Sequence, residues 1–443
     1  MRTSSRPHGL RRLALAGATA AALTVTPPSG RAHADAAGVL GQPSAVTTVA
    51  PGVTRTTYPG GKHTWAAVNV LRVDPDIAPL TLRSSVGAAS GAVKKVSQVL
   101  GDPSLVPRPA AGVNGSFFDD DLMNKYRLPE GDPEGVSVQQ GVLLSEASGG
   151  GVLLMQHGRP YITTLKTDIA VSAGGASTEV HGINRHPGRI PWERPVSSKG
   201  NLLVGFQGDL EAKPDTQVFA NDDEIVLFTP EYGIPTPGPL EGSEADSADD
   251  PGVEVVVDRG GTVRSLGRGR GGTDIPPGGK VLQGIGAGAD WLTAHARVGS
   301  SLTVTEKVTD LRFGDEIPLS RSLYAVSGRL IMRQDGKSTY SGSGGDRHAR
   351  TVVGVDGEGK VLLVTVDADD DRPGMDYNQL GNLLAALDAT DALNIDGGGS
   401  TTLVVDGALV NKPSDGFERP VSDMVQVTWG GYGVQHRAPS GQG

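Results

Sequence analysis

Asn394-Ile395-Asp396-Gly397-Gly398-Gly399-Ser400-Thr401-Thr402 sets a carboxylate, three glycines and three hydroxyls between the apolar stretches Ala392–Ile395 and Leu403–Val405. A hairpin turn needs one or two glycines. Three in a row leave a bare backbone whose N–H groups a ligand can approach closely. The run has neither G-x-x-x-x-G-K-[ST] nor G-x-G-x-x-G spacing, so it is not a nucleotide loop of either type. Joined to Asp396 at a strand end and to the hydroxyls of Ser400, Thr401 and Thr402, the run marks the place where a ligand and the chemistry are expected. A flexible turn is the plain alternative, but a turn without a close backbone partner would not need three glycines.

The preceding residues say how Asp396 is positioned. Val361–Val366 is an apolar strand ending at Asp367. After the acidic loop from Ala368 to Met375 come Leu380, Leu383, Leu384 and Leu387, a stripe with helical spacing. Asp376 and Gln379 stand where a capping box would start that helix. Ala392–Ile395 is the next strand. Strand, helix, strand predicts a βαβ unit with Asp367 and Asp396 on one carboxyl edge, where α/β proteins place ligands. On neighbouring strands the two would lie ~5 Å apart.

Three further places carry chemistry-bearing residues. Arg350 and Thr351 open the strand Val352–Val355, and Arg350 has the fork of donors that suits phosphate. Glu418 and Arg419 offer a carboxylate and a guanidinium on a loop. Asn114, in Ala111–Phe118, is a polar amide in a strand otherwise fit for burial, so it needs a partner. Taken alone, a surface arginine or an ordinary salt-bridged turn accounts for the first two. The nine His show no H-E-x-x-H spacing. The acids Asp367, Asp369, Asp370 and Asp371 leave a Ca²⁺ ion open but do not match the EF-hand spacing. No other metal or cofactor is expected, and no Gly-x-Ser-x-Gly elbow argues for a serine hydrolase.

Charge narrows the partners. The chain of 443 residues has 40 bases and 50 acids, a formal charge of −10. Arg2, Arg6, Arg11 and Arg12, the apolar stretch Leu13–Val25 and Ala32-His33-Ala34 together have the order of a secretory signal peptide. Its removal would take five Arg and no acid, leaving 35 − 50 = −15. Such a chain is a poor ligand for nucleic acid or anionic membranes, and any anion must be held by local Arg or N–H groups. The expected product is secreted and extracellular. With no Cys there are no disulfides, thiolate nucleophiles or Cys-ligated metals.

The expected organisation is a signal peptide (1–34), a linker (35–50), the N-terminal part of a catalytic domain (51–164), a β-rich insertion (165–310), the C-terminal part with the Gly triplet (311–434) and a tail (435–443). Strands are expected at Trp65–Val73, Val136–Leu144, Gly151–Gln156, Leu202–Phe206 and Glu224–Phe228, and a short helix at Val93–Leu100. Pro230 to Gly252 holds six acids and no base, whereas Arg259 to Lys280 holds five bases and one acid, as solvated loops would. The fold class is α/β (α+β): a mixed central sheet, few helices and the β-rich insertion.

GVNGSFFD (112–119), GVSVQQGVLL (135–144), HARTVVGVDGEGKVLLVTVD (348–367), DALNIDGGGSTTLVVDGALVN (391–411) and PSDGFERPVSD (413–423) together resemble the phosphodiester glycosidase family, in the family's order. Ala368-Asp369-Asp370-Asp371 departs from it, standing in place of a short Gly-rich stretch. GINRHPGRIPWERPV (182–196) and IVLFTPEYGIPTP (225–237) are similar to the variable β segment of secreted bacterial members. The resemblance implies hydrolysis of a glycosyl–O–phosphate bond in a small molecule or a cell-wall glycan. It also implies that Arg350, Arg419 and the N–H groups of Gly397, Gly398 and Gly399 hold the phosphate. Ser400 and Thr401 would bond sugar or phosphate oxygens, and Asp396, Glu418 or Asp367 would act on water or steady the anomeric carbon. Two other readings remain open: a phosphodiesterase attacking phosphorus, and a noncatalytic glycan-binding module on the same fold.

Overall fold

Val361–Val366 is apolar at every position but Thr365, and buried throughout, because both of its faces are covered. Leu363 points into a core shared with Leu71, Val353, Leu393 and Ile395 of its own sheet, Val113, Leu403 and Val425 of a second sheet, and Leu153 and Val326 of a third. Leu362, Val364 and Val366 point the other way, against Leu380, Leu383, Leu384 and Leu387. The first three lie on one face of the helix Tyr377–Ala386 and Leu387 caps its end, and the helix is started by the expected capping box. The Gln379 N–H donates to Asp376 Oδ1 at 2.9 Å, and the Asp376 N–H donates to Gln379 Oε1 at 3.2 Å.

The computed structural model describes residues 38–77, 80–86, 93–102, 109–118, 131–157, 159–187, 223–239 and 251–429. The signal peptide, the strand expected at Leu202–Phe206, residues 240–250 of the acidic stretch and the tail 435–443 lie outside the described residues. The short helix runs over Val96–Leu100, and Asp406-Gly407 closes a hairpin with φ of 50° and 76°.

The sheet that carries Asp396 has eight strands, in the order Ala45–Ala50, Val53–Pro59, Ala67–Val73, Val361–Val366, Arg350–Asp356, Ala389–Ile395, Leu330–Gln334 and Lys337–Ser338. Every pair in it is antiparallel. This corrects the expected α/β mixed central sheet: the fold is mostly β, with 46% strand against 11% helix, in several antiparallel sheets. The helical crossover does join two strands of like direction in one sheet. However, Arg350–Asp356 lies between them, antiparallel to both. Asp367 and Asp396 therefore share an edge as expected, but two strand spacings apart, roughly 10 Å rather than ~5 Å. Local pattern fixes strand direction here; it carries no information about which strand slips in between.

Pro109–Asn114 pairs with Leu403–Val405 on one side and Asp423–Trp429 on the other. A third sheet holds Gly151–Gln156, Leu323–Ser327 and the long strand Arg159–Ala173, whose later part, Leu165–Ala173, pairs with Leu302–Asp310. A fourth contains the parallel pair Gly182–Ile183 with Ile225–Phe228.

Beside that fourth sheet Arg185 is fully enclosed between two carboxylates. Its Nε donates to Glu146 Oε1 at 2.9 Å, and Nη2 and Nη1 donate to Glu224 at 2.8 and 2.9 Å. Burial opposes its charge, while the two glutamates hold its pKa above the usual arginine range. Removing one member of a buried charge set leaves the others uncompensated. Arg185→Ala should therefore destabilise the protein by about 3–5 kcal/mol, read as a lower urea midpoint. A loss under about 1 kcal/mol, the level of an exposed pair, would contradict this.

Candidate active site

Asp396 ends the strand Ala389–Ile395, and both of its backbone groups are fixed by the neighbouring sheet. Its N–H donates to the Gly115 carbonyl at 3.1 Å, and its own carbonyl accepts from Asn114 Nδ2 at 2.7 Å. Asn114 Oδ1 in turn accepts from Thr351 Oγ1 at 2.8 Å and from the Thr402 N–H at 3.1 Å. The buried amide thus has the partners it required, and they pin three strands around one carboxylate.

The Asp396 carboxyl is held by short-range donors and distant charges that compete with burial. Oδ1 accepts from the Gly397 N–H at 2.8 Å. Ser400, Arg329 and Arg419 also favour its ionised form, yet burial is the larger effect and pushes its pKa up to about 7. Part of the residue still reaches solvent. A carboxyl whose pKa is raised to about 7 by burial, within the influence of two guanidiniums, is suited to act on water beside an anion.

Each of the three glycines has its own reason to be there. A Cβ on Gly397 would lie 2.8 Å from the Ala349 carbonyl oxygen. Gly398 has a φ of +56° and donates its N–H to that same carbonyl at 2.8 Å. A Cβ on Gly399 would overlap the Asp415 carboxylate and the Arg419 guanidinium. The expected row of bare N–H donors is accordingly reduced, because Gly397 and Gly398 spend theirs inside the protein. The Gly399 N–H and the buried Thr401 and Thr402 hydroxyls show no hydrogen-bond partner among the described residues.

Asp367 is buried at the end of Val361–Val366, and burial pushes its carboxyl up to about 6 against the pull of Lys412 and Asn411. It accepts from Asn411 Nδ2 at 3.2 Å and from the Lys412 N–H at 3.1 Å. Asn411 Nδ2 also donates to the Thr401 carbonyl at 2.9 Å, which links the two carboxylate ends through the segment after the glycines. The neighbouring acid Asp369 is paired with Arg372 and Lys412. Among the described residues no group of three His, Asp or Glu is placed to hold a metal ion.

Arg350 and Glu418 turn away from Asp396. Arg350 and Thr351 are successive strand residues and so face opposite sides of the sheet. Thr351 takes the inner side with Asn114. Arg350 takes the outer side, donating to the Met375 carbonyl at 3.0 Å and the Asp346 carbonyl at 2.6 Å, with Cζ 4.2 Å from the centre of the Tyr377 ring. Glu418 accepts from the Ser97 N–H at 2.8 Å and from Ser97 Oγ at 2.5 Å, so both its oxygens anchor the first turn of Val96–Leu100. Arg419 does reach the site, braced by Asp415 at 3.0 Å from Nε and 2.8 Å from Nη2.

Arg329 is the residue that sequence reasoning passed over. It leaves the tight turn between Leu323–Ser327 and Leu330–Gln334, where its N–H donates to the Asn394 carbonyl at 3.0 Å and its Cζ stands 4.1 Å from the centre of the Phe117 ring. Gly328 permits that turn, since a Cβ there would lie 2.5 Å from the Asn394 carbonyl oxygen. The sequence signal was a Gly-Arg between two apolar strands, which by itself names only a turn.

Two glycine substitutions should act in opposite directions. Gly399→Ala forces the Asp415–Arg419 pair aside and should cost about 1–3 kcal/mol, as overpacking does. Gly381→Ala, in the interior of Tyr377–Ala386 with nothing within 4 Å of the added Cβ, should stabilise by about 0.5–1 kcal/mol. Urea unfolding of both variants checks the signs; equal effects would mean that Gly399 is not held by close approach.

Comparison with known proteins agrees with this architecture. The sequence profile of the phosphodiester glycosidase family matches residues 251–428, a stretch that contains Arg329, Asp367, Asp396 and Arg419. A 67-residue stretch is 40% identical to a mouse N-acetylglucosamine-1-phosphodiester alpha-N-acetylglucosaminidase, covering 15% of this chain and 13% of the mouse protein. A solved structure of a putative exported protein from Burkholderia pseudomallei superimposes with a TM-score of 0.67 at 26% identity, over 82% of this chain and 74% of that one. A hypothetical protein from Synechocystis shares the fold, with a TM-score of 0.61 at 17% identity over 87% of this chain and 64% of that one. Residues 251–428 are thus similar to the phosphodiester glycosidase family, and the similarity to the N-acetylglucosaminidases is a distant one.

Proposed function

We propose that this protein is a secreted phosphodiester glycosidase that hydrolyses the glycosyl–O–phosphate bond of a sugar-1-phosphodiester to free sugar and a phosphomonoester. The feature that carries this reading is Asp396, a carboxyl at a strand end whose burial pushes its pKa up to about 7 against the charges of Arg329 and Arg419. The substrate phosphodiester is anionic, and in an acidic chain the two guanidiniums are the groups placed to hold it. Water adds to the anomeric carbon, the bond from that carbon to the phosphate oxygen breaks, and its electron pair leaves with the phosphate. Asp396 takes the proton from water. Phosphate is a good leaving group, so the reaction needs less acid assistance than an ordinary glycoside requires. The Arg charges stabilise the phosphate as it departs. Asp367 and the Thr401 hydroxyl stand further along the same edge, where sugar hydroxyls would lie.

Hydrolysis in ¹⁸O-labelled water tests the bond that is cut. Label in the free sugar supports attack at carbon; label in the phosphomonoester would show attack at phosphorus and overturn the reading. Asp396→Asn should lower kcat by about 10²–10⁴-fold, the usual span for a lost acid–base group. The ionised carboxylate is the working form of a base, and its pKa is raised. kcat/KM should therefore rise with pH through about 7. A rate that falls across that interval would assign Asp396 the opposite role.

A further inference from the structure

Asp423 is a carboxylate inside the protein, 0% exposed, that takes no part in the chemistry described above. It lies at the start of Asp423–Trp429 and accepts three hydrogen bonds: from the Ser116 N–H to Oδ1 at 2.6 Å, from Ser116 Oγ to Oδ2 at 2.9 Å, and from Ser137 Oγ to Oδ2 at 3.2 Å. Such charge-assisted bonds are the strong ones. Gly115 is required next to it, since a Cβ there would overlap Asp423 Oδ1.

Two routes lead outward from that anchor, and both end in the site. Gly115, beside Ser116, receives the Asp396 N–H on its carbonyl, and Asn114 holds the Asp396 carbonyl. Ser116 Oγ also accepts from the Ser327 N–H at 3.0 Å, and Ser327 opens the turn that carries Arg329. One buried carboxylate therefore stands behind both the Asp396 carboxyl and the guanidinium that faces it. Burial pushes the Asp423 carboxyl up to about 6 in spite of its donors. Keeping such a group out of water costs stability, which a purely structural polar contact at this place would not require.

We propose that Asp423 is a positioning residue that fixes the distance between Asp396 and Arg329 through the segment Asn114-Gly115-Ser116. This rests on the reading of Asp396 and Arg329 as the reacting and anion-holding groups. It assigns the setting of their geometry to a residue that touches neither substrate nor product.

The test uses Asp423→Ala and, because that variant removes a core carboxylate, Ser116→Ala, which cuts the route through Ser327 and one of the two Ser116 bonds to Asp423 while leaving the Ser116 N–H bond in place. Each is assayed on sugar-1-phosphate diesters at a temperature where circular dichroism shows it folded. The same proteins are followed by amide hydrogen exchange. The expected result is a kcat lower by about 10–100-fold with KM within about twofold, the pattern of a misplaced catalytic group. Exchange should quicken in the peptides around Asp396 and Arg329 but not in Ile225–Phe228. Unchanged kcat with unchanged exchange at those two places would overturn the proposal. A wild-type protein that turns over no diester would instead count against the proposed function. In that case the exchange comparison alone decides: faster exchange at both places supports the positioning role, and no change removes it.

Discussion

Everything at this site depends on the cost of keeping the Asp396 carboxyl away from water. Two guanidiniums, a hydroxyl and a backbone N–H all favour its charge, and burial still prevails. The balance leaves a group poised between its two protonation states instead of a permanently ionised salt bridge. Had either arginine been in direct contact, the carboxyl would have been driven well below its ordinary range, as happens to Asp369 beside Arg372. Arg419 is kept back by Asp415, and Arg329 is stacked against Phe117. Both charges favour the ionised carboxyl without outweighing its burial.

That arrangement demands a rigid frame, and the sheets supply it. The strands bearing Asp396 and Asn114 belong to different sheets that close over a common apolar core, so the hydrogen bonds across Asn114 and Gly115 join two bodies already held by packing. The glycines follow from this closeness. Gly397 and Gly115 mark where one backbone presses against another or against a carboxylate, and Gly399 makes room for the Asp415–Arg419 pair. The sequence signature is as much a record of crowding as of ligand binding.

Much of this was legible in the residues themselves. The leucine stripe and capping box placed the helix Tyr377–Ala386, and the flanking apolar runs placed Asp367 and Asp396 on one edge. What could not be read was sheet order, because Arg350–Asp356 inserts between two strands whose local patterns are satisfied either way. Side-chain direction was the second gap. Arg350 has the chemistry of a phosphate clamp but the parity of an outward-facing position, while Thr351 next to it faces in. Glu418 has the chemistry of a catalyst, and its partner is the start of a helix far away in sequence. Arg329 was invisible for the converse reason: its importance comes from Phe117 and Asp396, neither of them near it in the chain.

The central claim is that burial outweighs the two arginines at Asp396, and the direct measurement is the titration of that one carboxyl by ¹³C NMR in selectively labelled protein, assigned with Asp396→Asn. The account predicts a midpoint of about 7 and, because the Arg329 charge favours ionisation, a higher midpoint in Arg329→Met. A midpoint near 4, the value of an ordinary aspartate, would contradict it.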